Sequence, residues 1–309
     1  MPRWVACARY GRLVTARPDE RVAGGVAASA EQRRLDTVLP AASGRPPEHV
    51  LTAFSATAGE LERLPGGRER TWRTGNTVIK PVDEPVAASW LASVLEQRSV
   101  PGVRIARPIR STDGRWVVSG WTAHRFVAGR PAARFDEIRA VGQSLHKALA
   151  DVPEPRFLRE RTDLAGWADR LSWGEVLDTE ERLGHGHGAG VYRELAALRR
   201  PVTAPNQVVH GDLFGTVLFA GDADPAVVDV TPFWRPGGWA IAVLAVDAVA
   251  RGGAPIEVVG EWADGSDWPQ LMRRAALFRL AASLAHPRTP TDDLVSMLAT
   301  VERVDRFLR

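Results

Sequence analysis

Apolar residues recur along this chain with two different periods, and the change from one to the other divides it. From about residue 50 to 127 they come in short runs bounded by turn residues. Thr71-Trp72-Arg73, the turn Gly75-Asn76 and Thr77-Val78-Ile79-Lys80-Pro81 predict a hairpin. Residues 86–97 interrupt it with a helix, because Trp90, Leu91, Val94 and Leu95 fall at helical spacing. Val103-Arg104-Ile105-Ala106 predicts a strand, and Arg115-Trp116-Val117-Val118 opens an extended stretch that continues to Val127. Gly129-Arg130-Pro131 breaks the pattern. From Phe135 onward the period is helical, with Phe135, Ile138, Val141, Leu145 and Leu149 on one face. Further helices are predicted over 239–251, 268–285 and 290–308, the last with Thr289 as its cap and Pro290 in its first turn. Between 158 and 200, helical pieces are separated by Gly184-His185-Gly186-His187-Gly188. Residues 1–48 show no sustained period and are expected to form a poorly ordered extension. The expected organisation is α+β: the extension at 1–48, a β-rich unit at 49–127 and a helical unit at 128–309.

Composition narrows the class without naming it. A chain of 309 residues can bury a large core or form two lobes. The net charge of +3, with arginines spread along the chain, is no nucleic-acid footprint. Cys7 is the single cysteine, which excludes an intrachain disulfide and suits a reducing cytosol. The N-terminus lacks an apolar run of signal-peptide length, and the most apolar stretch, 239–250, is too short to span a bilayer and contains Asp247. The expectation is a cytoplasmic protein with no membrane or nucleic-acid partner; nothing in the sequence bears on its oligomeric state. Of 40 basic residues only Lys80 and Lys147 are lysines. In so arginine-biased a chain, a lysine persists where a compact ammonium is required, or by chance.

The candidate chemistry lies at one corner. Val208-Val209-His210-Gly211-Asp212 leads from an apolar run into a polar turn. Val217-Leu218-Phe219 leaves it, turns at Gly221-Asp222-Ala223-Asp224-Pro225, and Ala226-Val227-Val228-Asp229-Val230 returns. The pattern brings two carboxylates, Asp212 and Asp229, to neighbouring strand ends. One carboxylate can orient or deprotonate a nucleophile, and a second beside it can hold Mg²⁺, which prefers oxygen ligands. These are parts that phosphoryl transfer needs.

The corner resembles the catalytic loop of the aminoglycoside phosphotransferase-like kinases, and the run Asp229-Val230-Thr231-Pro232-Phe233-Trp234-Arg235-Pro236 looks like an actinobacterial branch of them. The resemblance covers residues from about 49 to 309. It implies a bilobal, protein-kinase-like fold with a small β-rich N-lobe and a larger, mainly helical C-lobe. It also implies ATP and Mg²⁺ as cofactors and a small-molecule hydroxyl as acceptor. Within it, Asp212 is the candidate catalytic base and Asp229 the metal ligand, while His210 braces the loop. Lys80 resembles the strand lysine that contacts the ATP phosphates, with Glu96 as its candidate partner and Glu84 as the substitute. Gly66 and Gly67 stand where a turn would approach the phosphates, and Phe126 lies in the segment whose backbone would read adenine. His146 is expected to be structural. The sequence departs from the pattern at the Asn position, where by spacing Thr216 or Val217 stands, in a loop one residue short; Thr216 is the candidate metal ligand there.

That departure keeps a second reading open, a degenerate kinase-like module that holds a nucleotide or metabolite without transferring phosphate. A metal-dependent hydrolase using the two aspartates is a third, though it leaves the lysine-bearing β unit unexplained. Asp163, Asp169, Glu175, Asp178 and Asp247 are acids that could attract a cationic acceptor. Phe233 and Trp234 could wall its pocket or simply fill core. His185 and His187 lack the partners of a metal site.

Overall fold

Why Ile79 is apolar and Lys80 is not follows from the strand on which both lie. In the computed structural model, which describes residues 4–5, 14–15, 44–57, 59–64 and 70–309, β4 (Trp72–Thr74) and β5 (Thr77–Pro81) form the hairpin about Gly75-Asn76. Gly75 supplies the positive φ, 53°, that the two-residue turn requires. Beyond β5 lies β9 (Trp121–Arg125), which also pairs with β7 (Pro108–Ile109) and β8 (Val117–Val118); β3 (Glu62–Arg63) edges β4. Every pairing in this sheet is antiparallel. Side chains alternate across it. Ile79, opposite Ala123, turns into a small core with Val118 and Trp121, roofed by Val50 and Phe54 of the α1 region (Glu48–Ala53). Burying Ile79 alone is worth about 1.5–3 kcal/mol. Lys80, one residue on, faces away from that core and is half-buried opposite Thr122.

The stretch expected to run extended from Arg115 to Val127 is instead folded back on itself. Ser119 (φ 48°) and Gly120 (φ 78°) make a two-residue turn that pairs β8 with β9. Of the extension expected at 1–48, the structure describes one antiparallel pair, β1 (Trp4–Val5) with β2 (Val14–Thr15), and residues 44–48, the last of which opens α1; the remainder lies outside the described residues, and so do Gly66 and Gly67.

Of the described residues, 4–5, 14–15, 44–57, 59–64, 70–89 and 108–126 form one compact unit, and 90–107 and 127–309 a second. The strand at 103–106 thus groups with the helices, because β6 (Arg104–Ile105) pairs in parallel with β12 (Ala223–Val227). The end of α2 (Pro85–Gln97) goes with it: Leu95, Val100 and Ile105 join the larger core.

That core is built on the predicted helices. They are α3 (Phe135–Leu149), α7 (Gly237–Arg251), α9 (Trp268–Ala285) and α10 (Thr291–Leu308). Thr289 does not cap α10: Pro290 occupies the cap position, no side chain bonds there, and the Thr289 hydroxyl is buried without a partner. The ambiguous region resolves into α4 (Arg156–Arg159), α5 (Leu164–Trp173) and α6 (His187–Ala197), with α8 (Val258–Glu261) further on. Asp163 caps α5 by accepting from Gly166 N at 2.8 Å, and Gly174 (φ 78°) ends it. No helix among the described residues is long and apolar enough to cross a membrane.

Candidate active site

The polar corner is held by two short ladders. β10 (Gln207–His210) pairs antiparallel with β13 (Pro232–Arg235), and β11 (Val217–Ala220) with β12. The loop 211–216 joins the first ladder to the second, and 228–231 joins the second back to the first. Gly211 N–H donates to Thr231 O at 3.1 Å, and Val228 N–H donates to Thr216 O at 2.9 Å. These two bonds tie the loop that carries Asp212 to the connection that carries Asp229.

His210 is fully buried at the centre of this knot. Its Nδ1 accepts from the amides of Thr231 (3.1 Å) and Asp212 (3.3 Å), so the proton of the neutral ring sits on Nε2. Nε2 lies 2.9 Å from Thr216 Oγ1, which in turn donates to Asp212 O (2.9 Å) or Leu213 O (3.1 Å). Both nitrogens are committed, and the imidazole acts as a brace. His146 backs it, accepting from His210 N at 3.1 Å. Burial drives the His146 imidazole down to about 3, with the adjoining His210 acting in the same direction, so His146 is a neutral structural group.

The Gly of the motif is required by packing. A Cβ on Gly211 would lie 2.4 Å from Phe233 Cδ2, in a cluster that Phe233 forms with Trp239 and Phe278. Asp229 adopts a left-handed conformation, φ 52°, which costs a non-glycine residue about 1 kcal/mol and clusters at functional sites. The side chain of Asp212 is 15% exposed, and its Oδ1 accepts from Arg279 Nη2 at 2.8 Å. Arg279, on α9, escaped the sequence reading because it is one guanidinium in an arginine-rich chain. Its setting in the apolar run Leu277-Phe278-Arg279-Leu280 was the available signal.

Among the described residues no group of three or more acids, histidines or cysteines could hold a metal by itself. The corner offers two hard carboxylates, which fits Mg²⁺: that ion is typically held by one or two carboxylates with substrate phosphates completing its shell. Thr216 is occupied by the loop, since its hydroxyl bonds His210 and two carbonyls. Lys80 and Phe126 belong to the first unit. Phe126 N–H donates to Asn76 O at 2.9 Å, so this amide is committed within the sheet, and the Arg73 guanidinium covers the ring at 3.6 Å. Glu96 is exposed near the end of α2.

The acids that could draw a cation are all engaged. Asp163 holds Arg161 and caps α5, and Asp178 accepts from the amides of Arg182 and Leu183. Asp169 and Glu175 share the buried Arg235. Burial raises the Asp169 carboxyl more than Arg235 lowers it. For Arg235, burial works against the charge, but hydrogen bonding to Glu175 and the charge of Asp169 outweigh it and raise its pKa. Asp247 is fully buried against Arg279. His185 and His187 pair with Glu181 and Glu302, each at 3.0 Å. Phe233 is core, while half-buried Trp234 lines a cavity of about 350 Å³ with Arg159, Arg161 and Arg235.

An antiparallel-sheet unit, a helical unit and a His-Gly-Asp loop zipped to a second aspartate define the protein-kinase-like class of folds. The model of the phosphotransferase enzyme family, APH, matches residues 88–229, which bears out the resemblance to the aminoglycoside phosphotransferase-like kinases. No curated protein matches the chain. Solved structures show the same fold. A microcompartment-associated aminopropanol kinase is 15% identical over 84% of this chain and 96% of its own, with a TM-score of 0.55. The aminoglycoside phosphotransferase APH(4)-Ia, as a thermostable mutant with ADP and hygromycin B, is 13% identical over 84% and 97%, TM-score 0.50. Choline kinase LicA from Streptococcus pneumoniae is 10% identical over 84% and 97%, also with a TM-score of 0.50.

Proposed function

We propose that the protein is an ATP- and Mg²⁺-dependent phosphotransferase acting on a hydroxyl of a small molecule. The observation that carries this reading is the pair of backbone bonds, Gly211 N to Thr231 O and Val228 N to Thr216 O, that fastens the Asp212 loop to the segment of Asp229. In this reading Asp212 orients the acceptor hydroxyl and accepts its proton. Asp229 holds Mg²⁺, which, when bound, neutralises charge on the phosphates. Lys80 contacts the α- and β-phosphates, steadied by Glu96, and Gly66 and Gly67 let the backbone approach them. The segment ending at Phe126 reads the adenine edge through groups other than the Phe126 amide. Thr216 replaces the family Asn as a loop brace. Asp169 and Asp247 are buried and paired, and Asp163, Glu175 and Asp178 already hold partners, so an amine-bearing acceptor such as the aminoglycosides, aminopropanol or choline of the structural neighbours would have to compete with those bonds.

The test is ATP binding by calorimetry with and without Mg²⁺, on the wild type and on Asp229→Ala. Mg²⁺-dependent binding that the substitution abolishes is the expected result. Binding that ignores both Mg²⁺ and the substitution would favour a nucleotide-holding module without transfer, for which the replacement of Asn by Thr216 speaks. No binding by either protein at millimolar ATP would end the reading.

A further inference from the structure

The base of a phosphotransferase must present one carboxylate oxygen to the acceptor in a fixed direction. In this protein the means of fixing it comes from far along the chain. Arg279 is 1% exposed, and its Nη2 donates to Asp212 Oδ1 at 2.8 Å across 67 residues of sequence. The same guanidinium donates from Nε to Asp247 Oδ2 at 3.0 Å, and Nη2 reaches that oxygen too. Asp247 is completely buried on α7, and Arg251 Nη1 stands 3.2 Å from its Oδ1 as an ion pair without the alignment of a hydrogen bond. Two carboxylates and two guanidiniums therefore balance inside the core. Among the described residues Asp212 Oδ1 is anchored by Arg279, while Oδ2 takes no hydrogen bond.

We propose that Arg279, locked by Asp247, is the positioning residue of Asp212: it pins Oδ1 to α7 and α9 and leaves Oδ2 aimed for the acceptor hydroxyl. The inference rests on the phosphotransfer reading. Asp247 alone would satisfy the buried charge, and a purely structural pair would not extend to the partly exposed carboxylate of the loop. A guanidinium is suited to the task because its N–H groups diverge in a rigid plane, so fixing Nε on Asp247 fixes the direction of Nη2 toward Asp212. A lysine would keep the charge and lose that transmitted geometry. Orientation errors on the order of 1 Å at a reacting group cost about 10²-fold in rate.

The experiment is steady-state phosphate release from Mg²⁺-ATP, with water standing in as acceptor, by wild type, Arg279→Lys, Asp212→Asn and the double variant. Arg279→Lys should lower kcat about 10²-fold while leaving the KM for ATP within about twofold of wild type. In the Asp212→Asn background it should cost nothing further, since it acts only through Asp212. If Arg279→Lys fails to melt cooperatively, the paired change Arg279→Met with Asp247→Leu replaces the buried ions by apolar groups, a swap cores often tolerate, and should show the same drop in kcat. A folded Arg279→Lys with wild-type kcat, or one that loses the same factor with and without Asp212, would overturn the proposal and leave the phosphotransfer reading standing. A wild type that binds Mg²⁺-ATP yet transfers phosphate neither to water nor to any of a panel of small-molecule alcohols and amino alcohols would remove that reading and this proposal with it.

Discussion

Replacing Gly211 by Ala tests whether the motif glycine is there for space. The added Cβ would stand 2.4 Å from Cδ2 and 2.6 Å from Cε2 of Phe233, and 3.2 Å from Cζ3 of Trp239. Carbon atoms rest about 3.5–4.0 Å apart, so ring or loop must yield by roughly 1 Å. The ring has little room: Phe233 packs edge-on to Trp239 at 5.3 Å and to Phe278 at 5.6 Å, and the Arg161 guanidinium closes its other side at 4.8 Å. Forcing a methyl into such a site costs about 1–3 kcal/mol. For a unit of this size that is a fall in Tm of about 2–4 °C per kcal/mol. Differential scanning calorimetry would read it. The loop is the softer element, so Asp212 should be displaced and phosphate release should drop about 10²-fold. Phe233→Leu opens a cavity and is destabilising alone, yet combined with Gly211→Ala the two losses should fall short of their sum. A Gly211→Ala protein melting within 1 °C of wild type, or strict additivity with Phe233→Leu, would refute the steric account.

The buried histidine and the Arg235 pair with Asp169 and Glu175 give two more tests. His146 titrates near 3 in the folded protein against 6.5 when free, so its unfolded form binds a proton that the folded form does not. Its contribution is intact above about pH 6.5 and is lost as the pH falls toward 3, at about 1.4 kcal/mol per unit; urea titrations of His146→Gln, whose amide oxygen can still accept from His210 N, should lack that slope relative to wild type. Arg235→Met leaves Asp169 buried without its partner and should cost about 3–5 kcal/mol, whereas Arg235→Met with Asp169→Leu should recover most of it, both read by urea unfolding.

How much could be read from the sequence depended on whether the determinant was local. The helix over 268–285 was found at its observed bounds, and α7 began within two residues of its predicted start, because a long apolar period is a local property. The two-residue turn at Ser119-Gly120 was missed because apolar and β-branched residues continue on both sides of it. Thr289 failed as a cap because Pro290 took that position. The corner shows the same division. His210, Gly211, Asp212 and Asp229 form a recognisable string, but the Arg279 that holds Asp212 and the Thr231 amide that fixes the ring of His210 leave no pattern in their own neighbourhoods. The pairing of β10 with β13 rather than with its sequence neighbour was equally out of reach, since it spans the whole β11–β12 hairpin.

Helix α7 buries twelve consecutive residues, Trp239 to Ala250, on every side, with Asp247 as the one charge among them. During synthesis it leaves the ribosome before α9 and α10 exist to cover it. Over that interval it is a bare apolar cylinder, the kind of segment on which chaperones act and from which aggregates start. Arg251, one turn on, is within 3.2 Å of Asp247 as an ion pair, but Arg279, which hydrogen-bonds it, is made 32 residues later. Until then the carboxylate lacks the guanidinium that hydrogen-bonds it in the folded protein, which opposes premature burial of the helix, and the arrival of Arg279 lowers that opposition.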